Sequence, residues 1–263
     1  MTRQIAELLM YVAPEPIQQA NERWLARILE RLGSTRRGAG GLPLLELWRA
    51  PELLLTQTCG YPLMTALRGQ VRVVGRPRYE LPEASGGNHC SLLLSRADDP
   101  RRTLPDFFNS RGVINGEDSN SGMNLLRQRL APLHRDGQFF THVGISGSHR
   151  ESLRWLRDDL ADLAAIDSVT FAYLARHAEQ EVRGLRVVER SASSPTLPYI
   201  TAVTASDEQV TALRRVMNET LGELPEVAEV LGLSEVLPAG EEDYQVLLDY
   251  QREAQGLGYG RVR

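Results

Sequence analysis

The sequence predicts an α/β protein of two lobes, each a mostly parallel sheet flanked by helices, and three observations carry the prediction. Short apolar runs alternate with segments whose apolar residues recur at helical spacing, the pattern of βα units joined by right-handed crossovers. The alternation restarts near residue 98, beyond a Pro/Gly-rich connection. At 263 residues the chain also exceeds the usual size of one domain.

Residues 5–12 (IAELLMYV) read as a buried strand, and Pro14-Glu15-Pro16 opens a helix in which Ile17, Ala20, Trp24, Ile28 and Leu32 keep helical spacing. Residues 34–41 (STRRGAGG) read as a turn, 44–48 as helix and 53–56 as a short buried strand. Strands at 71–74 and 91–95 follow, separated by a connection ending in Gly86-Gly87-Asn88-His89. In the second block Leu104-Pro105-Asp106-Phe107 introduces a strand at 112–115, and Asp118-Ser119-Asn120-Ser121-Gly122 leads into a helix carrying Leu125, Leu126 and Leu130. A strand at 139–143 precedes Gly144-Ile145-Ser146-Gly147-Ser148 and a helix with Leu153, Leu156 and Leu160 on one face; Ser148 and Glu151 have capping-box spacing. A strand at 163–166 ends at Asp167. The strand 186–188, the Ser/Pro-rich segment 191–198, the strand 199–204 and a helix capped by Ser206 with Gln209 complete the pattern. On this reading residues 1–97 begin the first lobe, 98–192 form the second, and 193–263 return to the first and supply C-terminal helices.

Composition excludes several functions. A formal net charge of -4, with every one of the 30 Lys+Arg residues being Arg, gives no broad basic field for nucleic acid. The pairs Arg36-Arg37, Arg101-Arg102 and Arg214-Arg215 are scattered and read as solvated faces, and Trp24, Trp48 and Trp155 as packing residues. Cys59 and Cys90 stand alone, with no CxxC and no His/Cys cluster, so neither a disulfide framework nor a metal site is expected. No cofactor is implied either: Gly38-Ala39-Gly40-Gly41 follows no strand and lacks the Lys of a phosphate loop. The apolar run at 5–12 is interrupted by Glu7 and too short for a leader or a membrane span, so the expectation is a cytoplasmic chain, or a periplasmic one if the natural gene begins upstream.

The most informative stretch is Asn115-Gly116-Glu117-Asp118-Ser119-Asn120-Ser121-Gly122, where hydroxyls, an amide and successive backbone N–H groups meet at a helix start. Unsatisfied donors and the positive end of the helix dipole bind an anion there without a cationic side chain, although Ser, Asn and Asp are also ordinary N-caps. The junction recurs at Ser146-Gly147-Ser148-His149, and neighbouring parallel strands would bring both to one sheet edge, with His149 as a donor. Asp167 ends the next strand at that edge, either as an acceptor for a ligand amine or hydroxyl or as the cap of the following helix. Ser119 or Ser121 with His149 and Asp167 also fits a hydrolase triad, but the Gly-x-Ser-x-Gly elbow is only approximated by Gly144–Ser148.

Taken in order, these residues resemble the phosphonate/phosphite-type substrate-binding proteins of ABC transporters, within the type 2 periplasmic binding fold. The resemblance spans nearly the whole chain. It rests on Thr56-Gln57-Thr58-Cys59-Gly60-Tyr61-Pro62, Leu104–Phe107, Asn115–Gly122 as a Ser-x-Ser-Gly phosphonate loop, Gly147-Ser148-His149, Ala161–Ser168 and Ser194–Pro198. It implies a cleft between lobes that closes on a small oxyanion, phosphonate, phosphite or phosphate-like, gripped by Ser119, Asn120, Ser121 and His149. Asp167 would face the rest of the ligand, and Tyr61 and Tyr11 would close from the first lobe. Asn120 stands where relatives often have Thr, and its carboxamide still donates. The expected partners are the ligand and an ABC permease or a cytosolic protein, with no nucleic acid and no membrane insertion. The alternatives are a small-metabolite enzyme using His149 as acid/base and a ligand-gated interaction protein.

Overall fold

The computed structural model describes residues 3–263, which divide into two units: the chain up to Asn88 with Pro195–Tyr244, and His89–Ser194 with Gln245–Arg263. Each unit is built on a sheet flanked by helices, as the α/β class requires.

The first sheet has the strand order Leu233–Leu237, Val71–Tyr79, Tyr199–Ala202, Leu53–Gln57, Arg3–Glu7, Thr35–Arg37. Strand Arg3–Glu7 runs parallel to both of its neighbours, while the other three pairings are antiparallel. In the second sheet the order is Leu185–Arg190, Ser91–Arg96, Leu163–Asp167, Arg111–Ile114, His142–Ile145, with the first two pairings antiparallel and the last two parallel. Both sheets are therefore mixed, which corrects the expectation of mostly parallel ones. A parallel neighbour needs a long crossover, usually helical. Strand Ser91–Arg96 enters the second unit directly at His89, with no such crossover before it, and lies antiparallel.

That strand also moves the expected boundary from residue 97 to residue 88, because it pairs on both sides within the second sheet. The C-terminal segment differs too. Residues 245–263 belong to the second unit: Asn124 Nδ2 donates to the Leu247 carbonyl at 3.0 Å, and the Phe139 amide to the Arg263 carbonyl at 2.6 Å.

Local signals explain most elements. Helix Glu15–Leu32 buries Ile17, Ala20, Trp24, Leu25, Ile28 and Leu29, and stops at Gly33, whose φ of 60° closes a left-handed cap. Helix Asp207–Glu223 has both halves of the capping box, Gln209 N to Ser206 Oγ at 3.2 Å and Ser206 N to Gln209 Oε1 at 2.8 Å. Thr35–Arg37, read as a turn, is an edge strand. The strand expected at 139–143 runs from His142 to Ile145, since the buried Phe139 and Phe140 give their amides to Arg263 instead of a neighbouring strand. Helix His149–Arg157 ends before Leu160, which is exposed, and Trp155 packs where a Cβ on Gly144 would lie 2.2 Å from its ring. The second core gathers Leu92, Leu94, Val113, Leu153, Leu156 and Ile166 beneath these helices.

Candidate functional site

Sheet register assembles the candidate site within the second unit. Ile114 stands opposite Ile145 and Val113 opposite Ala164, so three parallel strands deliver their carboxyl ends to one edge. The antiparallel strand places Ser91 opposite Asp167, which brings His89 to the same edge. Ligands of α/β sheets bind at such edges.

Ser119 caps the helix that follows the first of these strands, its Oγ accepting from the Gly122 amide at 3.0 Å and keeping its own proton to donate. The first turn is π-helical, closed by the Asn124 amide on the Ser119 carbonyl at 3.0 Å. The Asn120 and Ser121 amides lie ahead of any acceptor in their own helix, at the positive end of its dipole. Gly122 is required here by space: a Cβ would lie 1.8 Å from Asn115 Oδ1 and 3.3 Å from His149 Cε1. Its absence lets Asn115 and His149 close over the turn.

His149 is the first residue of helix His149–Arg157, whose cap Ser148 accepts from the Glu151 amide at 3.1 Å. Its Nε2 lies 2.9 Å from Ser121 Oγ, joining the two helix starts. Burial holds this imidazole below its ordinary value, a nearby His89 adding to the effect while Asp167 and the Ala165 carbonyl oppose it. The ring is therefore neutral near neutral pH.

Asn120 is buried, with Nδ2 donating to Ser194 Oγ at 3.1 Å and Oδ1 accepting from Asn124 Nδ2 at 3.2 Å. Its carboxamide is engaged in that network, and its backbone amide is the group directed at the helix start. Asp167 caps helix Ser168–His177, with Oδ1 accepting from the Thr170 amide at 2.9 Å and Oδ2 lying 2.8 Å from His89 Nδ1. Burial acts to raise its carboxyl, yet His89, His149 and the Thr170 amide hold it below the usual carboxylate range. Asp167 is thus both the helix cap and the partner of His89, and the Ser–His–Asp triad geometry is not what organises these residues. Tyr11 and Tyr61 belong to the first unit, where Tyr11 packs edge-on to Tyr79 with ring centroids 6.2 Å apart and Tyr61 is buried in the short helix Gly60–Thr65. Sequence reasoning overlooked His89 and Ser194. His89 becomes visible only through the antiparallel register, a long-range fact. Among the described residues no group of three or more His, Cys, Asp or Glu side chains is placed to hold a metal ion.

The family described as "ABC transporter, phosphonate, periplasmic substrate-binding protein" matches residues 52–244, well over half of the chain. The chain belongs to this family. Its function class is accordingly substrate binding for an ABC transporter, not turnover, and the partners that follow are a small ligand and an ABC permease. Among curated proteins none matches it. Solved structures share the fold of this phosphonate-type binding protein. A binding protein component of an ABC phosphonate transporter from Pseudomonas aeruginosa is 16% identical, with a TM-score of 0.81 over 97% of this chain and 87% of its own. PhnD1 from Prochlorococcus marinus, solved in complex with methylphosphonate, is 11% identical, with a TM-score of 0.71 over 96% and 97%. A Xanthomonas citri protein solved bound to ATP is 13% identical, with a TM-score of 0.68 over 98% of both chains. No helix among the described residues is long and apolar enough to cross a membrane.

Proposed function

We propose that this protein holds the oxyanion head of a phosphonate, phosphite or phosphate-like ligand at the junctions of its second unit, on Ser119, Ser121, His149 and the backbone amides of Asn120 and Ser121. The observation that carries the reading is the 2.9 Å contact between Ser121 Oγ and His149 Nε2, which fastens two helix N-termini together at one sheet edge. Neutral donors fixed in place replace the hydration shell of the anion, and the dipole of the first helix favours its charge. The depressed His149 supports a hydrogen-bonding role over that of a counter-ion. The physiological partner is the permease of the transporter, met from the periplasmic side.

A melting-temperature screen against phosphate, phosphite, sulfate and alkylphosphonates tests the reading, since a ligand that binds only the folded chain raises the transition. A clear shift by one phosphorus oxyanion is expected, and it should vanish when Ser119 and Ser121 are both changed to Ala. Retained affinity in that double variant would place the site elsewhere.

A further inference from the structure

Asp167 reads from the sequence either as an acceptor for a ligand amine or hydroxyl or as the cap of the following helix, and the structure makes it the cap. One carboxylate oxygen accepts from the Thr170 amide at 2.9 Å. The other lies 2.8 Å from His89 Nδ1, at ion-pair distance though bent from ideal hydrogen-bond geometry, and the two side chains are only 0% and 3% exposed. An ammonium group arriving from the ligand would meet no open face of this carboxylate.

His89 is held here by two features of the fold. Ser91, two residues on, pairs with Asp167 in the sheet, and its hydroxyl donates to the Ser121 carbonyl at 2.8 Å, which ties the His89 segment to the anion loop. His89 itself is 2% exposed, and its Nε2 is closed to solvent without a hydrogen-bond partner among the described residues. A buried polar atom in that state is costly unless something else completes it. With Nδ1 turned to Asp167, Nε2 is the atom left for a ligand. An imidazole nitrogen can serve a ligand oxygen as hydrogen-bond donor or acceptor.

Resting on the oxyanion reading above, we propose that His89 completes the ligand site, that Asp167 is its positioning residue, and that the protein selects phosphorus oxyanions with an uncharged tail over those bearing an ammonium group. An ammonium tail must either displace His89 from Asp167 or enter without a counter-charge. Discrimination of this kind works by leaving the wrong ligand's charge unpaired in a desolvated place. The same carboxylate therefore excludes the tail that an unpaired Asp167 would recruit.

The test is calorimetric titration of the purified protein with ethylphosphonate and 2-aminoethylphosphonate, which differ by one terminal ammonium, repeated on His89→Asn and His89→Leu. The wild-type protein is expected to bind ethylphosphonate at least about tenfold more tightly. Both variants, by releasing Asp167, should narrow or reverse that ratio. A purely structural His89 would weaken both ligands together and leave the ratio fixed, and that result overturns the proposal. So does a wild-type protein that binds the aminated ligand equally well or better, a comparison that stands even if the variants do not fold. Binding of neither compound, nor of phosphate, removes the oxyanion reading and this proposal with it, whereas equal binding of both sinks the proposal alone.

Discussion

Alanine at Gly122 would set a Cβ 1.8 Å from Asn115 Oδ1, nearer than any nonbonded atoms can approach, so the turn at Ser119–Gly122 or the Asn115 side chain must move. Gly122→Ala should therefore lower the melting temperature and weaken oxyanion affinity by at least about tenfold, since positioned donors lose their value when displaced by even an ångström. Unchanged affinity in titration would show that the turn does not hold the anion. The buried titratable groups give a second prediction at this scale. His149 lies below its ordinary value in the folded chain, so the unfolded chain takes up a proton that the folded one resists, and stability falls as pH drops below about 6.5. Asp167 is depressed, so its contribution is present above about 3.9 and is lost as pH falls through its folded value. The two windows are separate, and the first is shared by His149 and by His177, which burial and the neighbouring Arg176 also hold below the ordinary value. A melting temperature that declines between about pH 7 and pH 5.5, with a flatter slope in His149→Asn, is the expected result; an unaltered slope would remove His149 as a cause. The placement of Ser119, Ser121 and His149 at helix starts was legible in the sequence because N-cap chemistry is local. His89 was not, because only sheet register brings it to Asp167.

Helix starts and strand ends obey the same division. Ser206 and Gln209 satisfy each other's amides reciprocally, a feature readable from four consecutive residues. Ser206→Ala should cost about 1 kcal/mol in denaturant unfolding, with ligand affinity unchanged. At the amino ends of strands Arg111–Ile114 and Leu163–Asp167, away from the site, Asp162 accepts from the Arg111 amide at 2.8 Å and from Arg111 Nη2 at 2.8 Å, and lies 3.0 Å from Arg101 Nη2. Burial works to raise this carboxyl, but Arg111 and Arg101 hold it far below the carboxylate range. Its stabilisation is thus present above about 3.9 and disappears as pH falls toward its folded value. Asp162→Asn should cost about 2 kcal/mol at neutral pH, because Arg111 and Arg101 lose a charge-assisted acceptor while each keeps a second carboxylate, Asp159 for Arg111 and Asp99 for Arg101; a loss within measurement error would mark the cluster as solvent-screened. None of this cluster could be read in advance, since Asp162 and Arg111 are far apart in sequence. The edge strand Thr35–Arg37 was missed for a related reason. It is short and polar, and it exists through pairing with Arg3–Ile5, not through any pattern of its own.

For the whole chain, the α/β class and the two-unit division followed from alternation, whereas the destination of the C-terminal segment did not, because nothing in residues 245–263 distinguishes one sheet's helix from another's. The structure ties that segment to the helical turn that begins at Asn120. Asn124, which donates to Asn120 Oδ1, also donates to the Leu247 carbonyl, and Arg127 Nη1 donates to the Gly260 carbonyl at 3.1 Å. Tyr259 is buried against His134 with ring centroids 5.2 Å apart, and the Arg263 carbonyl accepts the Phe139 amide while its guanidinium Nε donates to Gly137 at 2.9 Å. Truncation after Leu257 removes one large buried ring, worth about 3 kcal/mol, and leaves the Phe139 amide without its acceptor. The shortened protein should melt at lower temperature and bind the oxyanion more weakly, although no residue assigned to the ligand has been touched. Tyr259→Leu, which keeps the backbone contacts, should recover much of the affinity. If truncation leaves both melting and titration unchanged, the terminal segment merely covers the second unit, and the geometry of the turn at Ser119–Gly122 is set by its own strand and helix alone.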